Sequence, residues 1–208
     1  MNLSLHLSRS LQLAEQNISK CSAEILALPG MSGQKTRHFY NNLVSMPGAQ
    51  YLEIGSWKGS SVCSAMFENS ADVTCIDNFS EFAGPKKELL SNFHKFKGKN
   101  RATFIDADCF SVPIKNLPTF NLFMYDAAHD EMSQYRALSR FLPRMMDEFV
   151  FVVDDWNWDS VKNGTRNAID DLQLTIVAEH ERFTSANQDA RGWWNGMFAA
   201  VLRKECAS

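Results

Sequence analysis

The stretch Tyr51-Leu52-Glu53-Ile54-Gly55-Ser56-Trp57-Lys58-Gly59-Ser60-Ser61, "YLEIGSWKGSS", runs from apolar residues into a turn with two glycines. An acid stands two residues before the first glycine. Here the rhythm of the chain changes. Short apolar runs, "QYLEI", "DVTCI", "ATFID", "NLFMY" and "EFVFVV", end near residues 54, 76, 106, 125 and 153, with longer helical stretches between them. Such alternation predicts an α/β fold, a doubly wound parallel sheet with helices on both faces. The tail differs. "LQLTIVAEHERF" and "GMFAAVLRK" are strand-like runs joined by a polar, Gly-containing loop, which predicts a C-terminal antiparallel β-hairpin beside five parallel strands. Ahead of the sheet, Leu11, Ala14, Ile18, Cys21 and Ile25 follow a three-four spacing. They predict one amphipathic helix that runs until Pro29-Gly30. A second helix is expected from near Ser32, with Ser32 as its cap, to Pro47-Gly48, burying Phe39 and Leu43.

The bulk numbers narrow the class. A chain of 208 residues, 45% hydrophobic and 22% charged, suits one globular domain. The expected organisation is a single unit over 1–208, with a helical cap at 1–48 and the sheet-bearing core at 49–204. A net charge of −3 gives no general pull toward nucleic acid or anionic lipid. No run is apolar and long enough to span a bilayer, and the N-terminus does not read as a signal peptide. Cys21, Cys63, Cys75, Cys109 and Cys206 are scattered, odd in number and without a CxxC pair. They predict reduced thiols in a cytoplasmic protein, and neither zinc nor a disulfide scaffold.

In an open parallel sheet, ligands bind beyond the carboxyl ends of the strands, where strand order reverses. The opening turn lies at that place. Gly55 and Gly59 let the backbone approach a ligand closely. A dinucleotide fingerprint would read GxGxxG and receive a pyrophosphate. The spacing here is G-x-x-x-G, and Glu53 would oppose an anion and suit an ammonium group. Asp77 ends the second strand 22 residues after Gly55, where an acid can accept hydrogen bonds from both ribose hydroxyls. An adenosine that carries an amino acid meets these demands better than NAD.

At this point the sequence resembles the class I S-adenosylmethionine-dependent methyltransferases, over roughly residues 30 to 203. Glu53-x-Gly55-x-x-x-Gly59 is similar to their first motif and Asp77 to their ribose-binding acid. "IDADCF" is similar to the segment after their third strand, with Ala107 where that segment often has glycine. The resemblance implies a Rossmann-like core and S-adenosyl-L-methionine as cofactor. It assigns Glu53, Gly55, Ser56, Gly59 and Ser61 to the methionine portion and Asp77 with Asn78 to the ribose. Asp108 would meet the adenine amino group with Cys109 beside the ring, and Asp126 would border the same ligand.

Two further strands end in acids. "NLFMYDAAHDE" delivers Asp126 and, three residues later, His129, while "FVFVVDDWNWDS" delivers Asp154 and Asp155. Three clustered carboxylates repel unless a cation or protons intervene. Oxygen ligands favour a hard divalent ion, Mg²⁺ foremost. The competing account is helix N-capping, which Asp159-Ser160-Val161 is expected to supply by itself. D-x-x-H followed by D-D resembles the metal-dependent O-methyltransferases, especially those acting on sugar hydroxyls in macrolide tailoring. The resemblance implies Asp126, Asp154 and Asp155 as ligands of Mg²⁺ or Mn²⁺, and His129 as general base. The chain is shorter than the macrolide enzymes and lacks their additional N-terminal region.

The expected partner is therefore a small-molecule or glycan hydroxyl, with no nucleic acid or membrane, and a homo-oligomer is allowed. A catechol or phenol O-methyltransferase and a non-catalytic cofactor-binding module are the alternatives. An NAD-linked oxidoreductase would need a third fingerprint glycine and usually a Tyr-x-x-x-Lys pair. Trp156, Trp158, Trp193 and Trp194 lie near strand ends and suit either an acceptor wall or core packing. The basic interval from Lys86 to Arg101 reads as a solvated helix face opposite Leu89, Phe93 and Phe96, or as a phosphate contact.

Overall fold

The computed structural model describes residues 1–82 and 84–205; Cys206 lies outside the described residues. Five strands, β1 (Gln50–Ile54), β2 (Asp72–Asp77), β3 (Arg101–Asp106), β4 (Phe120–Tyr125) and β5 (Met145–Asp154), run parallel. Two more, β6 (Thr175–Arg182) and β7 (Met197–Arg203), complete one seven-stranded sheet of order β3-β2-β1-β4-β5-β7-β6. β7 is antiparallel to both of its neighbours and sits between β5 and β6, so the last strand is internal and β6 is the edge. This is the predicted α/β, Rossmann-like plan with its antiparallel C-terminal pair.

Period-two burial organises the core. Tyr51, Val73, Leu122, Val150 and Val152 face one apolar layer, and Leu52, Ile76, Phe123, Phe151 and Val153 face the other. The first layer is roofed by α1 (Leu3–Glu15), α3 (Gln34–Val44), α4 (Ser60–Met66) and α5 (Lys86–Phe96). The second is covered by α6 (Glu131–Phe141) and α7 (Asp159–Asp171). In α5 the buried residues are Leu89, Phe93 and Phe96, the apolar face read from the sequence.

The N-terminal helix is not continuous. α1 stops at Glu15, Asn17 takes a left-handed backbone, and the short α2 (Ala23–Leu26) restarts with the Ser22 hydroxyl accepting from the Ile25 amide. Ile18 is left exposed. The three-four spacing thus spans two helices, because asparagine tolerates the left-handed region and serine captures a free amide. Ser32 does not cap α3 either. Gly33 occupies the cap without a side-chain bond, while the Ser32 hydroxyl accepts from Arg37 Nε at 3.0 Å. Nor does Asp159 cap α7. It is the first helical residue, paired with Lys162 at 2.7 Å, and Trp158 holds the cap position.

Sheet order reverses between β1 and β4, since β2 and β3 lie to one side of β1, and β4 and β5 to the other. The loops that leave β1 and β4 therefore diverge there and leave a crevice at the carboxyl rim.

Candidate active site

A cavity of about 360 Å³ fills that crevice, lined from the exits of β1, β2, β3, β4 and β5 and from the β6–β7 loop. Its floor depends on Gly55. With φ at +87°, a Cβ there would stand 1.7 Å from the Asp126 carbonyl oxygen, so only glycine lets the β1 and β4 exits abut. Gly59 (φ +88°) begins α4, where a Cβ would come within 2.9 Å of Leu89 Cδ1.

Glu53 lies behind this wall and does not line the cavity. Its carboxylate accepts from Tyr51 OH at 2.7 Å, Ser56 Oγ at 2.8 Å and Ser61 Oγ at 2.7 Å. Burial pushes its pKa up to about 7, against the pull of those three donors. Ser56 and Ser61 do line the cavity, so the acid reaches it only through them. Asp77 faces the cavity directly. Its Oδ2 accepts from the Ser56 and Trp57 amides at 2.9 and 2.8 Å, and its Oδ1 from the Phe79 amide at 2.7 Å. The second-strand acid thus ties the first-strand turn to its own loop. Asn78, Asp108 and Cys109 also line the cavity. Asp108 Oδ1 accepts from the Phe110 amide at 2.9 Å, and burial pushes the Cys109 thiol up to about 12.

At the other end stand Asp126, His129 and Asp155, whose candidate ligand atoms lie within 4.8 Å of one another. His129 Nε2 is 2.6 Å from Asp155 Oδ2 and 3.7 Å from Asp126 Oδ1, ion-pair contacts whose angles do not make hydrogen bonds. Burial alone would lower the histidine pKa, but the two carboxylates outweigh it and raise the value to about 10. Asp126 keeps 24% of its side chain accessible, yet close packing raises its pKa, with Asp155 adding to the effect. Asp155 has φ +57° and accepts from the Asn195 amide group.

Asp154 does not join this cluster. Strand alternation puts it with Val150 and Val152 on the α3 side, 2% exposed, with Oδ1 unpartnered. Burial and the charges of Asp126 and Asp155 push its carboxyl well above the usual range. On the same side Tyr40 of α3 has a buried, unpartnered hydroxyl, driven up by burial and then by Asp154, Asp126 and Glu53. Sequence reading missed Tyr40, whose position in a helical run carries no signal, and Asn195, which lies in a loop without a motif.

The tryptophans divide. Trp156 is fully buried and stacks on Phe198 at 4.4 Å, and Trp193 packs edge-on against Phe39. Trp158 and Trp194 line the cavity, with Trp158 edge-on to His129 at 4.9 Å between centroids. Backbone strain gathers at the same place. Of the nine described non-glycine residues with positive φ, six line the cavity: Trp57, Phe79, Phe82, Asp155, Gln188 and Trp194. Each costs on the order of 1–3 kcal/mol, and such strain collects where a site needs a fixed backbone.

A Rossmann-like sheet with a cavity of acids and aromatic side chains at its switch point defines a ligand-binding α/β protein. The chain is more than that: residues 52–156 match the family model described as a methyltransferase domain, and the protein belongs to that family. It is an S-adenosylmethionine-dependent methyltransferase. No curated protein matches the chain in sequence. Among solved structures it is similar to a Klebsiella pneumoniae protein proposed to be an O-methyltransferase (18% identity, TM-score 0.61, covering 95% of this chain and 89% of that one). The O-methyltransferase from Bacillus cereus, solved with SAH, is similar at 16% identity and TM-score 0.58, covering 95% and 90%. TrmN from Thermus thermophilus gives 12% and 0.60, covering 88% of this chain and 52% of that chain. At such identities the likeness is one of fold.

Among the described residues no helix is long and apolar enough to cross a membrane.

Proposed function

We propose that the protein transfers a methyl group from S-adenosylmethionine to a hydroxyl oxygen of a small molecule, either a sugar or a phenol. The observation that carries this reading is the Asp126–His129–Asp155 cluster, which opens into the same cavity as the glycine turn. Ser56 and Ser61, held by Glu53, border the methionine portion. Asp77 and Asn78 meet the ribose, and Asp108 and Cys109 meet the adenine.

Two carboxylates and an imidazole suit a hard or borderline divalent ion, and the unpartnered Asp154 is near enough for the charges of Asp126 and Asp155 to act on its carboxyl. Asp126 and Asp155 would hold Mg²⁺ or Mn²⁺, and Asp154 would join them only if the β5 exit rearranged. Such an ion supplies Lewis acidity and a template for the acceptor oxygen. With both neighbouring carboxylates uncompensated, His129 stays protonated at neutral pH, as its value of about 10 requires. It can take a proton only when their charge is offset. His129 would then accept the acceptor's proton as the oxygen bonds to the methyl carbon in line and the carbon–sulfur bond breaks to release S-adenosylhomocysteine, the step for which orientation matters most.

The test is methyl transfer from labelled cofactor to a glycan and phenol panel, before and after chelation. Turnover lost in EDTA and restored by Mg²⁺ or Mn²⁺, with S-adenosylhomocysteine affinity unchanged, is the expected result. Full turnover after thorough chelation would remove the metal from the reading, and cofactor binding without transfer to any hydroxyl would remove the O-transfer.

A further inference from the structure

The charge of the cavity wall is one-sided. Asp77, Glu81, Asp108, Asp126 and Asp155 line it, and among the described residues no lysine or arginine does. Nearby cations are engaged elsewhere. Lys162 is tied to Asp159, and Arg136 lies over the ring of Phe110 at 4.2 Å. A phosphate or carboxylate brought into this space would lose its water and meet no Arg or Lys, which sites for such groups ordinarily supply, while the His129 imidazole is already shared between Asp126 and Asp155.

The acceptor end has the opposite provision. Trp158 touches His129, and Trp194 precedes Asn195, whose amide group donates to Asp155, so both indoles belong to the reacting end. Indole faces pack against the apolar face of a sugar or against an aromatic ring, and they attract cations. Trp194 is held at φ +60° by paired backbone bonds with Asp189, a strained fixing that keeps its ring in place.

Resting on the O-methyltransferase reading, we infer that the acceptor is a hydroxylated ring compound without negative charge, bound against Trp158 and Trp194. The wall argues against RNA, nucleotides and acyl thioesters of coenzyme A as acceptors, although the fold is shared with TrmN.

Two charge series test this, each keeping the hydroxyls fixed: 4-methylcatechol, dopamine and 3,4-dihydroxyphenylacetate; methyl glucoside, glucosamine and glucuronate. Tryptophan fluorescence is titrated with each compound in the presence of S-adenosylhomocysteine and Mg²⁺. In at least one series the neutral and cationic members should bind saturably and the anionic member about tenfold more weakly or worse. Trp194→Ala should weaken the neutral member about tenfold and leave S-adenosylhomocysteine affinity unchanged. Gln188→Lys, which adds a cation to the lining, should narrow the anionic deficit. Anionic members binding as well as neutral ones, or no neutral or cationic member binding in either series, would overturn the inference. Labelled transfer run on the same samples separates the two ideas. The expected binding order without transfer supports the charge rule and rejects O-transfer, whereas transfer to an anionic member rejects the charge rule alone.

Discussion

The two rims of the sheet treat buried polarity in opposite ways. At the amino ends of the strands the buried groups are neutral amides, engaged in every described case except Gln50 Oε1. Asn121 joins the Gln50 amide to the Gly48 carbonyl, and Asn100 bonds the Ala71 amide and the Met66 and Lys97 carbonyls. Asn41 and Asn69 stitch α3 to α4 in the same manner. At the carboxyl ends the buried groups are acids, and polar atoms of Tyr40, Tyr125, His129 and Asp154 lack hydrogen-bond partners. Buried polar atoms are ordinarily bonded, so an incomplete set marks where something else binds. One rim is nearly self-satisfied; the other is not.

Substitutions can break that contrast. The largest effect belongs to the carboxyl rim: His129→Ala should lower kcat by about 10²–10⁴, the range for a positioned base, with S-adenosylhomocysteine affinity kept. A variant that retains most of its kcat would make His129 a counter-ion only. Next comes the amino rim. Asn100→Ala strands the buried Ala71 amide and removes one of two bonds from each of the Met66 and Lys97 carbonyls. It should cost about 3–5 kcal/mol in denaturant unfolding, with about 1–3 for the stranded amide and about 1 for each further bond. The folded fraction should turn over normally. A fall in kcat with full stability would show that the lower rim also serves chemistry.

Glu53 sharpens the comparison through pH. Its folded value near 7 lies above the ordinary 4.5, so the native state holds this proton more tightly than the unfolded chain. Stability from that source is full below about 4.5, falls as pH rises to 7, and is flat beyond, a change on the order of 3 kcal/mol. Melting curves from pH 4.5 to 8 should show this decline in the wild type and a shallower one in Glu53→Gln. Equal slopes would mean that the three hydroxyl donors hold the carboxylate at its usual value. The smallest effect is expected for Asp77→Asn, which keeps an acceptor for the loop amides. It should weaken S-adenosylhomocysteine by about tenfold, the worth of one charge-assisted bond. Unchanged affinity in calorimetry would leave Asp77 as a loop brace alone.

The strand plan and the acids at strand ends were legible because apolar runs and turn glycines are local signals. The interrupted N-terminal helix was not, since Asn17 and Ser22 act through backbone conformation and not through hydrophobic period. Nor could the sequence separate Asp154 from Asp155. The two acids are adjacent, but alternation sends one beneath the sheet, and a left-handed backbone turns the other toward His129. Glu53 was legible as an important acid and misplaced by one layer: its partners are three hydroxyls, two of them on the residues that follow β1, and tertiary packing, not local sequence, brings them to it. Four of the five tryptophans, Trp156, Trp158, Trp193 and Trp194, look alike in sequence, and packing against Phe39 or Phe198 decides which two are core.

The position of β7 bears on the order in which the protein can be made. β6 has no neighbour except β7, and β5 pairs on that side only with β7. During synthesis β6 emerges first and must wait, unpaired, for residues 197–203. Asn195, which bonds Asp155, arrives with the same segment. A nascent chain that stops short of β7 therefore has an open strand edge and an unfinished acidic site, so catalytic competence and a closed sheet edge come with the same few residues.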